Sequence, residues 1–326
     1  MRRREFIALF GGAAAWPLAA RAQQPAMPVI GFLHLGSPEP NAKRVAAFRE
    51  GLSETGHVEK QNVTIEFRWA NGQPDRLPEL AADLVRRQVA VIATPVSTEA
   101  TLAAKAATAT IPIVFAVGGD PVALGLVASL NRPGGKATGI NLQNVDLTAK
   151  RFELLHELVP KGARFAALVN SNYPSIDVIL RDLQTGAATL GLEVEILYAG
   201  NDREIDAAFA KLSQRPDSVL MLPPDSFFFS RRAQIVTMAA RHALPVIYPT
   251  NEYPIAGGLI SYGPDITHAC QQTGVYTGRI LKGENPANLP VMQPTKFELV
   301  LNLQTARLLG ITVPPTLLAR ADEVIE

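Results

Sequence analysis

From Gln23 onward, short β-rich apolar runs alternate with amphipathic helical stretches. That alternation constrains the fold most, because it is the signature of parallel α/β sheets. Strand centres are expected at Val29, Ile65, Val91 and Ile113 in the first half and at Phe165, Val194, Val219 and Val246 in the second. Between them, apolar residues recur at helical spacing: Val45, Phe48 and Leu52, then Leu77, Leu80, Leu84 and Val85, then Ile176, Leu180 and Leu183, then Ile205, Phe209 and Leu212. Such spacing puts each set on one helix face. Even the closing strands look alike, Ile111-Pro112-Ile113-Val114-Phe115 against Leu244-Pro245-Val246-Ile247-Tyr248. The expected fold is α/β, with two doubly wound parallel-sheet, Rossmann-like lobes joined by a hinge.

The turn-rich stretch Asn131 to Lys136, followed by a β-like run through Ile140, suits a crossing between lobes. A helix from about Asp265 to Leu281 and a strand from Phe297 to Leu301 leave material to cross back. The lobes are therefore expected over 23–138 plus about 252–290, and over 139–251 plus about 291–326. Two hinged α/β lobes can close on a ligand.

Residues 1–22 read as a targeting segment. Arg2, Arg3 and Arg4 precede a mostly apolar run from Ile7 to Ala20, and Ala20-Arg21-Ala22 supplies a small-x-small cleavage site. Arg3-Arg4-Glu5-Phe6-Ile7 resembles the bacterial twin-arginine export signal, with an ordinary Sec signal as the other option. The run, broken by Gly11-Gly12 and Pro17, is shorter than a bilayer span. Cleavage after Ala22 would remove four arginines and one glutamate, turning a formal net charge of +1 into about −2. The expected location is the periplasm.

Chemistry is sparse. A single cysteine in 326 residues, Cys270, excludes an internal disulfide and thiolate metal clusters. Balanced charge, 31 Lys+Arg against 30 Asp+Glu, argues against nucleic acid as partner. HExxH, GxSxG, GxGxxG and Walker A motifs are missing, and Gly135-Lys136 is followed by Ala137 where a phosphate loop needs Ser or Thr. The five histidines are scattered, and of them only His34 sits at a strand end. No cofactor, no metal and no catalytic residue are expected.

Ligands of open parallel sheets bind at the carboxyl ends of strands. Hydroxyls, amides, aromatics and a few carboxylates occupy those ends here, a chemistry for reversible recognition. Ser37, Thr94, Ser97 and Thr98 offer hydroxyls in the first lobe; Ser37, Ser97 and Thr98 precede helices, where free N–H groups can hold a carboxylate. Gly118 and Gly119 free the backbone of a turn, and Asp120, Asp225 or Glu252 can receive an ammonium. Asn170, Asn172 and Tyr173 end a strand of the second lobe, and Phe227, with Phe228 beside it, can wall an apolar side chain. The same residue types also serve simply as helix caps or core.

Several stretches together carry a family resemblance: the leader with Ala20-Arg21-Ala22-Gln23-Gln24, the run Ile111-Pro112-Ile113-Val114-Phe115-Ala116-Val117-Gly118-Gly119-Asp120-Pro121, the segment Leu130-Asn131-Arg132-Pro133-Gly134-Gly135, and the ending from Pro314 to Ile325. The chain resembles the ABC-transporter solute-binding proteins of the tryptophan/tyrosine-binding type over essentially its whole length. The resemblance implies a type I periplasmic-binding-protein fold, a monomer that binds a small polar or aromatic, amino-acid-like solute and hands it to an inner-membrane permease. The Gly118-Gly119-Asp120 turn is the one ligand contact it matches directly. Two other roles stay open, a ligand-sensing module for a membrane receptor and an exported enzyme on the same scaffold.

Overall fold

The computed structural model describes residues 27–142, 145–159, 161–174, 176–294 and 296–326. The expected leader, residues 1–22, lies outside the described residues. The first lobe begins with β1 (Val29–His34), α1 (Ala42–Glu54), β2 (Thr64–Trp69), α2 (Leu77–Arg86), β3 (Val91–Thr94), α3 (Thr98–Ala107), β4 (Ile113–Val117) and β5 (Ala137–Asn141). These strands form one parallel sheet in the order β2-β1-β3-β4-β5. Its central strands are apolar without a break because helices cover both faces. Side chains alternate between the layers. Ile30, Phe32, Val91 and Val114 meet Val45, Phe48 and Leu52 of α1, whereas Leu33, Ile92 and Phe115 meet Leu77, Leu84 and Ala104.

The second lobe continues with α4 (Val145–Leu158), β6 (Arg164–Val169), α5 (Ile176–Ala188), β7 (Val194–Tyr198), α6 (Asp202–Ser213), β8 (Ser218–Met221), α7 (Ser226–Ser230), α8 (Arg232–Arg241), β9 (Val246–Tyr248), α9 (Glu252–Ile255) and β10 (Ile260–Pro264). After α10 (Ile266–Leu281) come β11 (Phe297–Asn302), α11 (Leu303–Leu308), α12 (Pro315–Leu318) and β12 (Glu323–Ile325). The sheet order is β12-β11-β10-β9-β8-β6-β7, parallel except for the antiparallel β10–β11 pair. Read from β7 to β10, it repeats the order of the first sheet, so the duplication is one of topology.

The lobe borders differ from 138 and 251. β5 runs on through residues 139–141 in the first sheet, paired along β4 from Ile113↔Ala137 to Val117↔Asn141. Residues 252–264 belong to the second lobe, because β10 pairs with β9 and β11 there. Each lobe thus completes a fifth strand before the chain leaves it.

α10 returns to the first lobe and packs against α1. A Cβ on Gly51 would lie 1.8 Å from the Gln271 carbonyl oxygen, and one on Gly274 would lie 2.1 Å from that of Phe48. The two backbones touch, which only glycine allows at both contact points. Tyr276 and Ile280 then reach the core shared with Phe48 and Leu52.

Candidate functional site

The strand ends of both sheets meet at a cavity, about 100 Å³ of it open to the centre of a water molecule. The β3 and β4 ends supply Val96, Thr98 and Gly118; the β8 and β9 ends supply Met221, Pro223 to Ser226, Pro249, Thr250 and Tyr253. Val96, a β-branched residue, sits at φ 53°. Strain of that kind costs of order 1–3 kcal/mol and collects at functional sites. Here it accompanies a cross-lobe bond: the Ser226 hydroxyl donates to the Val96 carbonyl at 3.3 Å.

Other contacts also close the cleft. Arg44 of α1 donates through Nε and Nη2 to Glu252 Oε1 of the opposite lobe, at 3.0 and 2.9 Å. Its guanidinium carbon lies 3.3 Å from the Phe229 ring centroid. Burial works against the Glu252 carboxylate, but the Arg44 charge and hydrogen bonds hold its pKa below the ordinary value. The pair joins first and second lobes only when they are shut.

Two further groups give the cavity its polarity. Arg151 of α4 is buried, its Nε donates to the Tyr262 carbonyl at 2.7 Å, and among the described residues no carboxylate pairs with it. Burial pulls its pKa down to about 10, so it is still a cation at neutral pH. Asp225 is half-buried in the cleft and lines the cavity. Its Oδ1 accepts from the Phe228 N–H at 2.8 Å as the cap of α7, and its Oδ2 accepts from Asn170 Nδ2 at 2.9 Å. Tyr173, its phenol raised by burial and then by the neighbouring carboxyls, reaches the Thr98 hydroxyl across the cleft. Apolar and aromatic walls, among them Leu142, Met221, Pro223 and Phe229, complete the lining.

Of the strand-end residues singled out by sequence, Thr98, Gly118, Tyr173 and Asp225 line the cavity. Asn170 stands behind Asp225, and Glu252 is engaged with Arg44. The others serve their own chain. Thr94 bonds the Thr101 hydroxyl at 2.8 Å, Ser97 Oγ accepts from the Leu35 N–H at 3.2 Å, and the Ser37 carbonyl accepts from Asn41 Nδ2. Asp120 Oδ1 accepts from the Val122 N–H two residues on, a local turn that follows Gly118-Gly119. Asn172 Nδ2 donates to the Gly200 carbonyl. Phe227 is buried under Arg231 and is not in the lining, a place taken by Phe229. His34 accepts the Gly36 N–H at Nδ1 and stays within the first lobe.

Arg44, Arg151 and Asp182 line the cavity and were not singled out. A signal for the arginines existed: Leu147, Arg151, Leu154 and Leu158 share one helix face, as do Arg44, Phe48 and Gly51. An arginine on an apolar stripe needs a buried partner or a ligand. A second cavity, of about 320 Å³, lies beneath the lobe crossings between Ile140, His268 and Met292. It is built from one lobe and the crossings, so closure does not assemble it.

Over residues 37–325 the sequence matches the family described as ABC transporter substrate binding protein. A tyrosine-binding protein of Clostridioides difficile is 26% identical over 270 residues, 82% of this chain and 77% of that one. A Streptococcus pneumoniae ABC domain in complex with L-Trp superposes with a TM-score of 0.83 at 26% identity, covering 91% of this chain and 99% of that one. The ligand-free, open structure of a Clostridium difficile substrate-binding protein with adhesive properties, at 25% identity and the same coverage, gives 0.65. With identity and coverage nearly equal, the chain as a whole superposes better on the L-Trp complex than on the open structure.

Proposed function

Because the chain belongs to the family of ABC transporter substrate-binding proteins, we propose that it is the solute-binding subunit of an importer, taking an amino acid with an aromatic or large apolar side chain and presenting it to a membrane permease. The observation that carries this reading is the pairing, in one cross-lobe cavity, of a buried guanidinium with no carboxylate partner among the described residues, Arg151, with the carboxylate of Asp225. An α-amino acid has the complementary poles. Its carboxylate would lie on Arg151, its ammonium beside Asp225, and its side chain against Phe229 and Met221. The tyrosine and L-Trp bound by relatives fit this class. Binding across both lobes would add ligand contacts to those that Arg44–Glu252 and Ser226–Val96 already make, which is how a ligand shifts the population toward closure.

Calorimetry with L-tryptophan and L-tyrosine tests the reading. Wild type is expected to bind at least one, and Arg151→Met to lose roughly 30-fold in affinity, the worth of about 2 kcal/mol for a charge-assisted bond. Absence of binding by any amino acid would sink the ligand class. We further propose that the chain works in the periplasm, exported through the Arg3-Arg4 leader and cleaved after Ala22; support for this comes from the sequence.

A further inference from the structure

Glu99 lies in the first turn of α3, in the first lobe, with only 6% of its surface exposed. Its Oε2 has no hydrogen-bond partner among the described residues. Asp225 faces it from the second lobe, and the Ser226–Val96 bond pins the two loops together. The hydrogen bonds Asp225 does accept come from its own lobe, from Asn170 and Phe228. The other titratable groups around the pair are Arg231, whose charge favours the Asp225 carboxylate, and the phenols of Tyr173 and Tyr253. In the closed cleft a buried carboxyl group, Glu99, thus faces a second one from the other lobe.

We propose that Glu99 sets the preference of the cleft for a ligand with a positive charge: closing over such a ligand offsets one of the two charges of the Glu99–Asp225 pair, whereas closing over one without it obliges the pair to take up a proton. This rests on the amino-acid reading of the cavity. With no cation beside it, Glu99 is held up at about 8, by burial first and then by the Asp225 charge. Burial raises Asp225 as well, against its hydrogen bonds. Once the lobes part, Glu99 is returned to water and to an ordinary carboxylate value, so at neutral pH it ionises. The sign follows: closure over an uncharged group binds a proton from solvent and is favoured as pH falls from about 8 toward the ordinary glutamate value. Closure over an ammonium needs no proton. Glu99 acts through the field at Asp225 and need not touch the ligand.

The test compares L-tryptophan with indole-3-propionate, which keeps the ring and carboxylate and lacks the ammonium. Calorimetry at pH 6, 7 and 8, in buffers of different ionisation heat, gives affinity and proton uptake together. Wild type is expected to bind tryptophan with nearly constant affinity and no proton exchange. The analogue should take up about half a proton at pH 8 and about one at pH 6, and gain about fivefold in affinity from pH 8 to 7 and about tenfold from pH 7 to 6, as one linked proton requires. In Glu99→Gln the analogue's pH dependence should vanish, and the ratio of the two affinities at pH 8 should narrow at least tenfold.

A pH-independent analogue in wild type, a dependence that survives in Glu99→Gln, or an analogue that binds neither protein at any pH overturns the proposal while tryptophan binding leaves the amino-acid reading standing. If tryptophan also fails to bind, that reading fails instead. Solution scattering of the protein alone then decides about the pair. A smaller radius of gyration at pH 5.5 than at pH 8 in wild type but not in Glu99→Gln supports it, and equal radii overturn it.

Discussion

Buried polar residues divide here by whether their demands are met inside one lobe or across the cleft. His34 is met inside one at a single ring nitrogen: its Nδ1 accepts the Gly36 N–H at 2.8 Å, so the ring must be neutral, its Nε2 is buried without a partner among the described residues, and burial followed by the Arg44 charge lowers its pKa to about 3. A histidine depressed in the folded state binds fewer protons than the unfolded chain below its ordinary value of 6.5. Stability is therefore lost as pH falls below 6.5, by up to about 1.4 kcal/mol per pH unit. Urea unfolding at pH 7.5 and 5.5 should show this loss in wild type and a smaller one in His34→Gln. Equal losses would remove His34 as the cause, since other titrating groups are common to both proteins. Thr94, Ser97 and Asp120 are likewise satisfied locally, by Thr101, the Leu35 N–H and the Val122 N–H. In sequence they look like Thr98 and Asp225, because a hydroxyl or carboxylate at a strand end has the same local options whether or not a cavity lies beyond it. The arginines were legible by a different rule. Position 151 falls on the stripe of Leu147, Leu154 and Leu158, and a charge there has no local means of satisfaction.

At the scale of elements, the closest contact is that of α1 with α10, where Gly51 and Gly274 let backbone meet backbone. Gly51→Ala would drive a methyl into the Gln271 carbonyl, and the obstacle is main chain, which cannot swing aside as a side chain does. The expected destabilisation is about 3 kcal/mol, at the upper end for overpacking. It should appear as a lower urea midpoint with an unchanged slope, and a midpoint within error of wild type would mean the helices slide apart freely. All eight expected strand centres lie in strands, since parallel strands buried on both faces announce themselves as apolar runs. β10 did not, because its five residues, Ile260-Ser261-Tyr262-Gly263-Pro264, end in two breakers. The repeated strand order shows what would have found it. The β-like run through Ile140 is the fifth strand of one copy, and its counterpart in the other is β10, each standing just before a crossing.

At the scale of the molecule, closure balances groups that meet across the cleft, among them the ion pair Arg44–Glu252, the hydroxyl contacts Ser226–Val96 and Tyr173–Thr98, and the carboxyls of Glu99 and Asp225. The attractive and repulsive members come from the same two lobes, so the ligand supplies the difference. The address of the protein is a property of the whole chain too. Protein recovered from the periplasm should begin at Gln23 by mass spectrometry, and replacing Arg3 and Arg4 by lysine should leave uncleaved chain in the cytoplasm. Recovery with Met1 intact would refute the leader.

The return of α10 also orders events during synthesis. The patch formed by Ala47 of α1, Ala116 of β4 and Ile140 of β5, which Ile266, Ala269 and Cys270 of α10 cover in the finished fold, stays open until α10 has been made, although the whole second βαβ copy is made before then. The lobe translated first is therefore finished late, and a chain cut after Pro264 would carry an uncovered apolar face on its earliest domain. The α1–α10 seam is thus the last contact of the first lobe to be made, although it joins the lobe's first helix.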